Sequence, residues 1–330
     1  MPKNILVTGA TGQQGASLIA ALRPSEDANA TSEYHVLALT RSKSTSSADR
    51  LSQEKHVTVV EGDLNNRTSA IRVFEDAKNR EGGSIWGVFM VLAFPGLGKN
   101  ADGEEAQGKL LADIALEYGV SAFVHSSALR SGPKYDDELK LSGKAKVSIE
   151  RHVKEIGLPW VIVKPGFFME NFSGALGALA VNLMQIGLRP ETRLDLVAAD
   201  DIGRVVAAVF KNFSKCSSRE LIIISESLTA SQIAEQYRHT AGLIGFYVSP
   251  YLAWLVLKVN ADTQKLVQTI KDTHDRSVNG DYPEREAEMR IATDVYAPRT
   301  TFQEWVSKTN SKTKEGWNRL SLWGLLTGGS

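Results

Sequence analysis

The sequence feature that most constrains this chain is a glycine-rich turn near its N-terminus. A strand-like apolar run, residues 4–8, leads into Gly9, Gly12 and Gly15, and a helical pattern begins at Gln14. In a strand–turn–helix setting, one glycine allows a tight turn, one lets a phosphate approach the backbone, and one lets the helix pack closely on the strand. The free N–H groups and positive dipole end of such a helix favour a diphosphate. The spacing therefore predicts a dinucleotide-binding site.

The rest of the first two-thirds of the chain alternates short β-branched runs with helical patterns, which is typical of βαβ units and a parallel sheet. Strands are predicted at residues 4–8, 35–40, 57–60, 87–93, 120–125, 160–164 and 221–225, and helices at 14–23, 69–78, 107–118 and 144–156. Beyond residue 229 the pattern is mainly helical. We predict an α/β protein with a doubly wound parallel sheet of the Rossmann type and a smaller, mainly helical C-terminal substrate domain.

The predicted Rossmann domain covers residues 1–165, with 195–225 returning to it, and the smaller domain covers 166–194 and 226–330. A helix start is predicted at Asp200 and Asp201, because aspartates cap free N–H groups and complement the helix dipole. The alternative for these two residues is a structural role in closing the smaller domain.

Charge and composition narrow the classes of partner. Lys plus Arg and Asp plus Glu both number 38, so the net charge is zero, and the chain lacks the basic field that direct binding to nucleic acid or an anionic membrane needs. The uncharged stretch 243–257 is shorter than a membrane span and contains Pro250, so it is predicted to be a buried or pocket-lining helix. The single cysteine, Cys216, fits a reducing compartment. We predict a cytoplasmic protein, or a nuclear one if it is regulatory.

The end of the second predicted strand indicates which dinucleotide is bound. NAD-specific sites usually place a carboxylate there for the ribose 2′-OH, whereas this strand runs into Arg41 and Lys43. Both cations suit a 2′-phosphate, so NADP(H) is favoured over NAD(H); the alternative is a pair of solvated loop cations. Asp63, at the end of the third strand, is predicted at the adenine edge or, alternatively, as a cap of the next helix. The scattered histidines lack metal-ligand spacing, so no metal site is predicted.

Several blocks together resemble the NmrA-like family of atypical short-chain dehydrogenases/reductases, over roughly residues 3–240. The resemblance rests on the glycine-rich turn, Arg41, Gly62-Asp63-Leu64, Ser126-Ser127, Lys146 to Glu150, Gly157-Leu158-Pro159, and Pro165-Gly166-Phe167-Phe168-Met169-Glu170-Asn171-Phe172. The last block is quite specific. The resemblance implies an NAD(P)-binding Rossmann fold, in a family that includes reductases of secondary metabolism and dinucleotide sensors that act in gene regulation.

The resemblance implies a cofactor site more firmly than a catalytic one, because no Tyr-x-x-x-Lys of typical short-chain dehydrogenases is present. Tyr135 comes closest in position, 11 residues before Lys146. Lys146 lies 13 residues before Pro159, the family's spacing for a lysine that binds the ribose or moves a proton. Lys144 competes for this role, and either lysine is otherwise an ordinary surface residue of a helix.

Residues at the carboxyl ends of the later strands are further candidates, since ligands bind there in such sheets. Ser126 and Ser127 are ligand contacts or, equally, strand-end caps. The resemblance implies that Asn171 is a polar contact and that an apolar pocket surrounds the nicotinamide; the alternative for its residues is the hydrophobic core. The implied pocket residues are Phe94, Pro95, Phe167, Phe168, Met169 and Phe172.

We therefore predict an NADP(H)-dependent oxidoreductase acting on a small apolar or aromatic molecule, with Lys146 as the candidate catalytic residue. The alternative is a non-catalytic NADP(H) redox sensor that binds a protein partner such as a transcriptional regulator. The predicted cofactor-binding residues are Gly9, Thr11, Gly12, Gln13, Gln14, Gly15, Arg41, Lys43, Asp63, Leu64, Ala93, Phe94, Ser126, Lys146, Pro165, Phe168 and Asn171.

Overall fold

A computed structural model describes residues 1–24, 33–80, 82–241 and 249–310. Within these ranges the central sheet is formed by the parallel strands β1 Lys3–Val7, β2 Tyr34–Thr40, β3 Val57–Glu61, β4 Ile85–Met90, β5 Ala122–Ser126, β6 Trp160–Pro165 and β9 Arg219–Ile223. Their order is β3-β2-β1-β4-β5-β6-β9. The winding direction reverses between β1 and β4, and in doubly wound sheets the carboxyl ends at this reversal form the ligand crevice.

Helices cover both faces of this sheet. One face carries α1 Gln13–Ala21, α7 Ala199–Lys211, α8 Phe213–Cys216 and α12 Arg285–Val295, and the other carries α3 Arg67–Lys78, α4 Asp102–Glu117 and α5 Leu141–Glu155; α2 Ser46–Ser52 lies beside β3. Neighbouring strand residues such as Leu6 and Val7 belong to opposite cores and are both buried. The sequences of these strands are therefore continuous apolar runs and do not alternate between apolar and polar residues.

A smaller unit is built on a three-stranded sheet in which β8 Arg193–Val197 lies between β7 Phe167–Phe168 and β10 Glu226–Thr229. Its helices are α6 Gly174–Gly187, α9 Ala230–Ala241, α10 Pro250–Val259, α11 Ala261–Val278 and α13 Phe302–Asn310. After β8 the chain returns to the main sheet through α7 and β9, and it does so again through α12, which packs against β9. The division into domains remains a prediction.

The predicted fold class is confirmed, and each predicted parallel strand is present within a few residues of its predicted bounds. β4 ends three residues before its predicted end because, after Met90, hydrogen bonds to a side chain replace the backbone hydrogen bonds between β4 and β1. Val91 donates its N–H to the Thr8 hydroxyl at 2.8 Å, and that hydroxyl donates to the Val91 carbonyl at 2.7 Å. The strands β7, β8 and β10 were not predicted: β7 and β10 span only two and four residues, and β8 begins with alternating polar and apolar residues instead of an apolar run.

The helix predicted at 243–257, as buried or pocket-lining, is present from Pro250 onward. Residues 242–248 lie outside the described ranges, and α10 begins at Pro250, which as the first helical residue starts the helix instead of interrupting it. Ala253 and Val256 are buried, but Tyr251 and Trp254 are 68% and 42% exposed. No helix in the described part of the chain is long and apolar enough to cross a membrane.

Candidate functional site

The glycine-rich turn has the geometry that its spacing predicts. Gly9 has a φ of +57°, and a Cβ there would lie 3.0 Å from the Val91 carbonyl oxygen. A Cβ on Gly15 would lie 2.3 Å from the Gly9 carbonyl oxygen, so only glycine allows α1 to approach the turn this closely. Gly12 is exposed, precedes α1, and has extended angles, φ −86° and ψ 176°.

The start of α1 fits a diphosphate group. Gly12 at the N-cap provides no capping side chain, and the first turn contains no acidic residue. The first N–H groups of a helix have no intrahelical partner, and the dipole adds positive potential there. Gln13 and Gln14 are half-buried beside the exposed Gly12 and Thr11. These residues therefore form an open, positively polarised cradle at the reversal of strand order.

Ser126 joins this cradle to the end of β5. Its hydroxyl donates to Gln14 Oε1 at 2.6 Å, across 112 residues of sequence. Ser127 instead donates to Glu150, which also accepts two hydrogen bonds from Arg130, at 2.7 and 2.8 Å. Of the two serines, Ser126 therefore belongs to the crevice and Ser127 to a buried ionic network.

The predicted 2′-phosphate residues lie in the loop after β2. Arg41 and Lys43 are exposed, and neither side chain forms an ion pair with a described residue. The Glu61 carboxylate accepts from the Lys43 backbone N–H at 3.3 Å, so one acidic group is also nearby. The loop thus offers two cations to an anionic group.

Asp63 does not cap α3. Asn66 is the N-cap of that helix, and its side chain accepts from the Ser69 N–H at 3.0 Å. Asp63 Oδ1 accepts from the backbone and side-chain nitrogens of Asn65, both at 2.9 Å. The capping alternative is therefore wrong, while the adenine contact of Asp63 remains a prediction.

Lys146 points into the fold, whereas Lys144 is exposed. Lys146 Nζ donates to Glu104 Oε1 at 2.7 Å. Burial, and after it the charge of Lys146, lower the pKa of His125 in β5 to about 3, so this histidine is neutral. Of Lys144 and Lys146, it is therefore Lys146 whose charge acts on His125 in β5.

Tyr135 is engaged elsewhere. Its hydroxyl donates to Asp281 at 2.9 Å, and the guanidinium of Arg276 lies 3.5 Å from the ring centroid. These contacts dock the segment after β5 on the C-terminal end of α11. They remove Tyr135 as a candidate proton donor near Lys146.

The predicted aromatic pocket needs correction. Met169 and Phe172 are 0% and 1% exposed and belong to the core of the smaller unit, where the Phe172 ring meets that of Phe302 at 5.3 Å. Phe167 packs on Phe172 at 5.7 Å. Met169 and Phe172 are core residues because α6, α9 and α13 pack around them, whereas Phe167 is half-buried against this core and its place in a pocket stays a prediction.

The remaining residues predicted to contact the cofactor differ in their solvent exposure. Those that are exposed or half-buried are Ala93, Phe94, Pro95, Leu64, Phe168 and Asn171, with Phe94 at 58% exposure. Pro165 is buried, and its carbonyl accepts from the Leu129 N–H at 3.0 Å. A role for these residues in cofactor binding stays a prediction.

Two acids that were not predicted as site residues, the half-buried Glu170 and the buried Asp201, connect distant segments of the chain. Glu170 Oε1 accepts from the Ala199 N–H at 3.0 Å and from the Trp305 indole at 3.1 Å. Asp201, fully buried, accepts from the Ser225 hydroxyl at 2.9 Å and the Thr300 N–H at 2.9 Å. Both join residues far apart in sequence, and for Asp201 this is the closing role named above as the alternative.

Neither Asp200 nor Asp201 is the N-cap of α7, since Ala198 occupies that position. Both lie in the first turn, where their charge complements the dipole. In the part of the chain that the structure covers, no group of three or more His, Cys, Asp or Glu side chains is arranged to hold a metal ion.

Glu170 gives a testable pH dependence of stability. Burial raises its pKa to about 7, well above the ordinary value. The folded state therefore binds a proton that the unfolded state releases between about pH 4.5 and 7, so this group makes the free energy of unfolding fall as the pH rises through that window. We expect Glu170→Gln to gain on the order of 2–3 kcal/mol relative to wild type between pH 5 and pH 8. Urea unfolding at both pH values measures this, and parallel pH profiles would contradict it.

The chain is similar to known proteins at three levels. A family model described as the NmrA-like family matches residues 1–249. Over 251 residues the chain is 27% identical to the nitrogen metabolite repression protein nmrA of Emericella nidulans, which covers 71% of this chain and 64% of that protein. The chain thus spans less than two thirds of that relative's length.

Two solved structures share the fold. NmrA, a negative transcriptional regulator in complex with NADP, matches with a TM-score of 0.65 and 20% identity, covering 94% of this chain and 96% of that chain. The NADPH-dependent quinone oxidoreductase of Escherichia coli, complexed with NADPH, matches with a TM-score of 0.63 and 16% identity, covering 92% and 99%. At these identities the likeness establishes the fold alone.

Proposed function

This chain belongs to the NmrA-like family, and we propose that it is an NADP(H)-dependent oxidoreductase acting on a small apolar or aromatic organic molecule. The observation that carries the proposal is the open first turn of α1, bridged by Gln14 and Ser126 to the end of β5. This arrangement supports binding of a dinucleotide diphosphate by backbone N–H groups at the reversal of strand order.

The chain offers groups for each part of the dinucleotide. The residues Gly12 to Gln14 would hold the diphosphate, and Arg41 with Lys43 would hold a 2′-phosphate. When bound, the cofactor supplies the hydride. Lys146 would hold a proton at Nζ near the reacting end, where Glu104 keeps the ammonium in place at 2.7 Å.

The preference for NADP(H) can be tested at the loop after β2. We expect Arg41→Ala with Lys43→Ala to weaken NADPH binding by about tenfold or more and to leave NADH binding within about twofold, because charge-assisted contacts to a phosphate are lost. Calorimetric titration of both dinucleotides measures the two affinities. The exposed Lys55 offers a matched control, Lys55→Ala. An equal loss for NADH and NADPH would contradict the assignment of these cations to the 2′-phosphate.

A second candidate function is a sensor that binds NADP(H) without turnover and docks a regulatory protein. It is favoured by the contacts of Tyr135 with Asp281 and Arg276, which leave Lys146 without a tyrosine partner of the short-chain dehydrogenase type. The names of the Emericella nidulans relative and of NmrA describe regulatory proteins.

Turnover distinguishes the two functions. The purified protein is mixed with NADPH and a panel of ketones, quinones and enones, and oxidation of NADPH is followed by absorbance. The oxidoreductase predicts turnover that is lost in Gly12→Val and reduced in Lys146→Met. Turnover that survives Lys146→Met would remove the role of the lysine, and tight binding without turnover on the whole panel would favour the sensor.

A further inference from the structure

Glu104 is a buried carboxylate with two donors from a neighbouring helix. It lies in the first turn of α4 and is 5% exposed. Its Oε2 accepts from the Ser142 hydroxyl at 2.7 Å and its Oε1 from Lys146 Nζ at 2.7 Å, and both donors belong to α5. A buried charge is stable only when it is paired and hydrogen-bonded. Glu104 meets this condition through Lys146.

The ion pair lies on the crevice side of the sheet. α4 follows the loop after β4, and α5 follows β5. The charge of Lys146 acts on His125, and the next residue, Ser126, is hydrogen-bonded to Gln14 in the glycine-rich turn. Glu104 in the first turn of α4, and the Lys146 side chain that reaches it, therefore lie at the carboxyl end of the sheet, where the crevice is.

A charge close to a bound nicotinamide ring changes the relative affinity of its oxidised and reduced forms. The oxidised ring carries a positive charge and the reduced ring is neutral, so a fixed ammonium disfavours the oxidised form and a fixed carboxylate favours it. The Lys146 ammonium and the Glu104 carboxylate, 2.7 Å apart, offset each other. Nearby Arg130 is already neutralised by Asp136 and Glu150.

We propose that the Glu104–Lys146 ion pair sets the selectivity of the dinucleotide site between NADP+ and NADPH, with Glu104 as a positioning residue that balances the charge of Lys146. The inference rests on the proposed function through the binding of a dinucleotide and through the place of Lys146 near its nicotinamide end. It holds for an oxidoreductase and for a sensor alike.

The test is a double-mutant cycle read out as the ratio of the dissociation constants of NADP+ and NADPH, measured by calorimetry on the full chain. Glu104→Gln leaves the ammonium unbalanced, and we expect the ratio to rise by about three- to tenfold. Lys146→Met leaves the buried carboxylate without a cation, so Glu104 takes up a proton and the ratio is expected to stay within about twofold of wild type. The double variant is expected to return to within about twofold of wild type, because it carries neither charge.

Glu105 offers a matched control on the same turn. It also bridges α4 and α5, since it accepts from Lys109 Nζ at 2.7 Å and from the Ser148 hydroxyl at 2.6 Å. Glu105→Gln is expected to leave the ratio unchanged. Two results would overturn the inference while dinucleotide binding stands. One is that Glu104→Gln weakens binding of NADP+ and NADPH equally. The other is that the ratio shifts in the same direction in both single variants. Failure of the wild type to bind either form would overturn the proposed function and this inference with it.

Discussion

Replacing Gly12 with valine is expected to weaken NADPH binding by at least about a hundredfold while the protein stays folded. The backbone of Gly12 has angles that any residue adopts, and a Cβ there would lie 3.2 Å from the Gly9 carbonyl oxygen, which requires only a small adjustment. The branched side chain would instead stand at the exposed start of α1, where the diphosphate approaches. Calorimetric titration with NADPH measures the loss.

Gly103 provides the control for this substitution. It is a helical glycine in the first turn of α4, and no atom lies within 4 Å of a Cβ built there. Gly103→Val is expected to keep the wild-type affinity, and both variants should show wild-type circular dichroism. If Gly12→Val bound NADPH as wild type does, the diphosphate would not rest on this turn.

Replacing Asp201 with alanine is expected to lower the free energy of unfolding by about 3–5 kcal/mol. The carboxylate is fully buried and accepts from the Ser225 hydroxyl and from the backbone N–H groups of Arg299 and Thr300. Alanine would leave these donors without a partner, at a cost of roughly 1–3 kcal/mol for each buried group. Urea unfolding monitored by tryptophan fluorescence gives the change.

The neighbouring Asp200 is the matched control. It is exposed, and its contact with the Ser17 hydroxyl is 3.3 Å long. Asp200→Ala is expected to change stability by less than about 1 kcal/mol. Equal effects of the two substitutions would show that the buried contacts of Asp201 do not hold the 299–300 segment in place.

The parts of the fold that could be predicted are those encoded locally. The glycine spacing specifies a turn whose close approaches, such as that of Gly15 to Gly9, involve residues a few positions apart. Apolar runs of five to seven residues reveal the strands of a parallel sheet that is buried on both faces, which is why the positions of these strands could be predicted.

The parts that could not be predicted depend on partners distant in sequence. Glu104 meets Lys146 across 42 residues, Glu170 meets Trp305 across 135, and Asp201 meets Thr300 across 99. In the sequence each is one acid among 38. A signal for Glu170 was present in the family block, but the block does not say that the side chain is buried between two units.

The aromatic residues of that block show the limit of a resemblance. Phe172 and Met169 have the composition of an apolar pocket, and the same composition suits a core. The structure assigns both to the core, since Phe302 and helices from the far end of the chain cover them. Only tertiary contacts separate the two alternatives.

The central claim is that a nicotinamide dinucleotide rests its diphosphate on the first turn of α1. Isothermal titration of the purified wild-type chain with NADPH tests it most directly. We expect saturable heat with one site per chain and a dissociation constant in the micromolar range. The absence of heat with either NADPH or NADH at millimolar concentrations would contradict it.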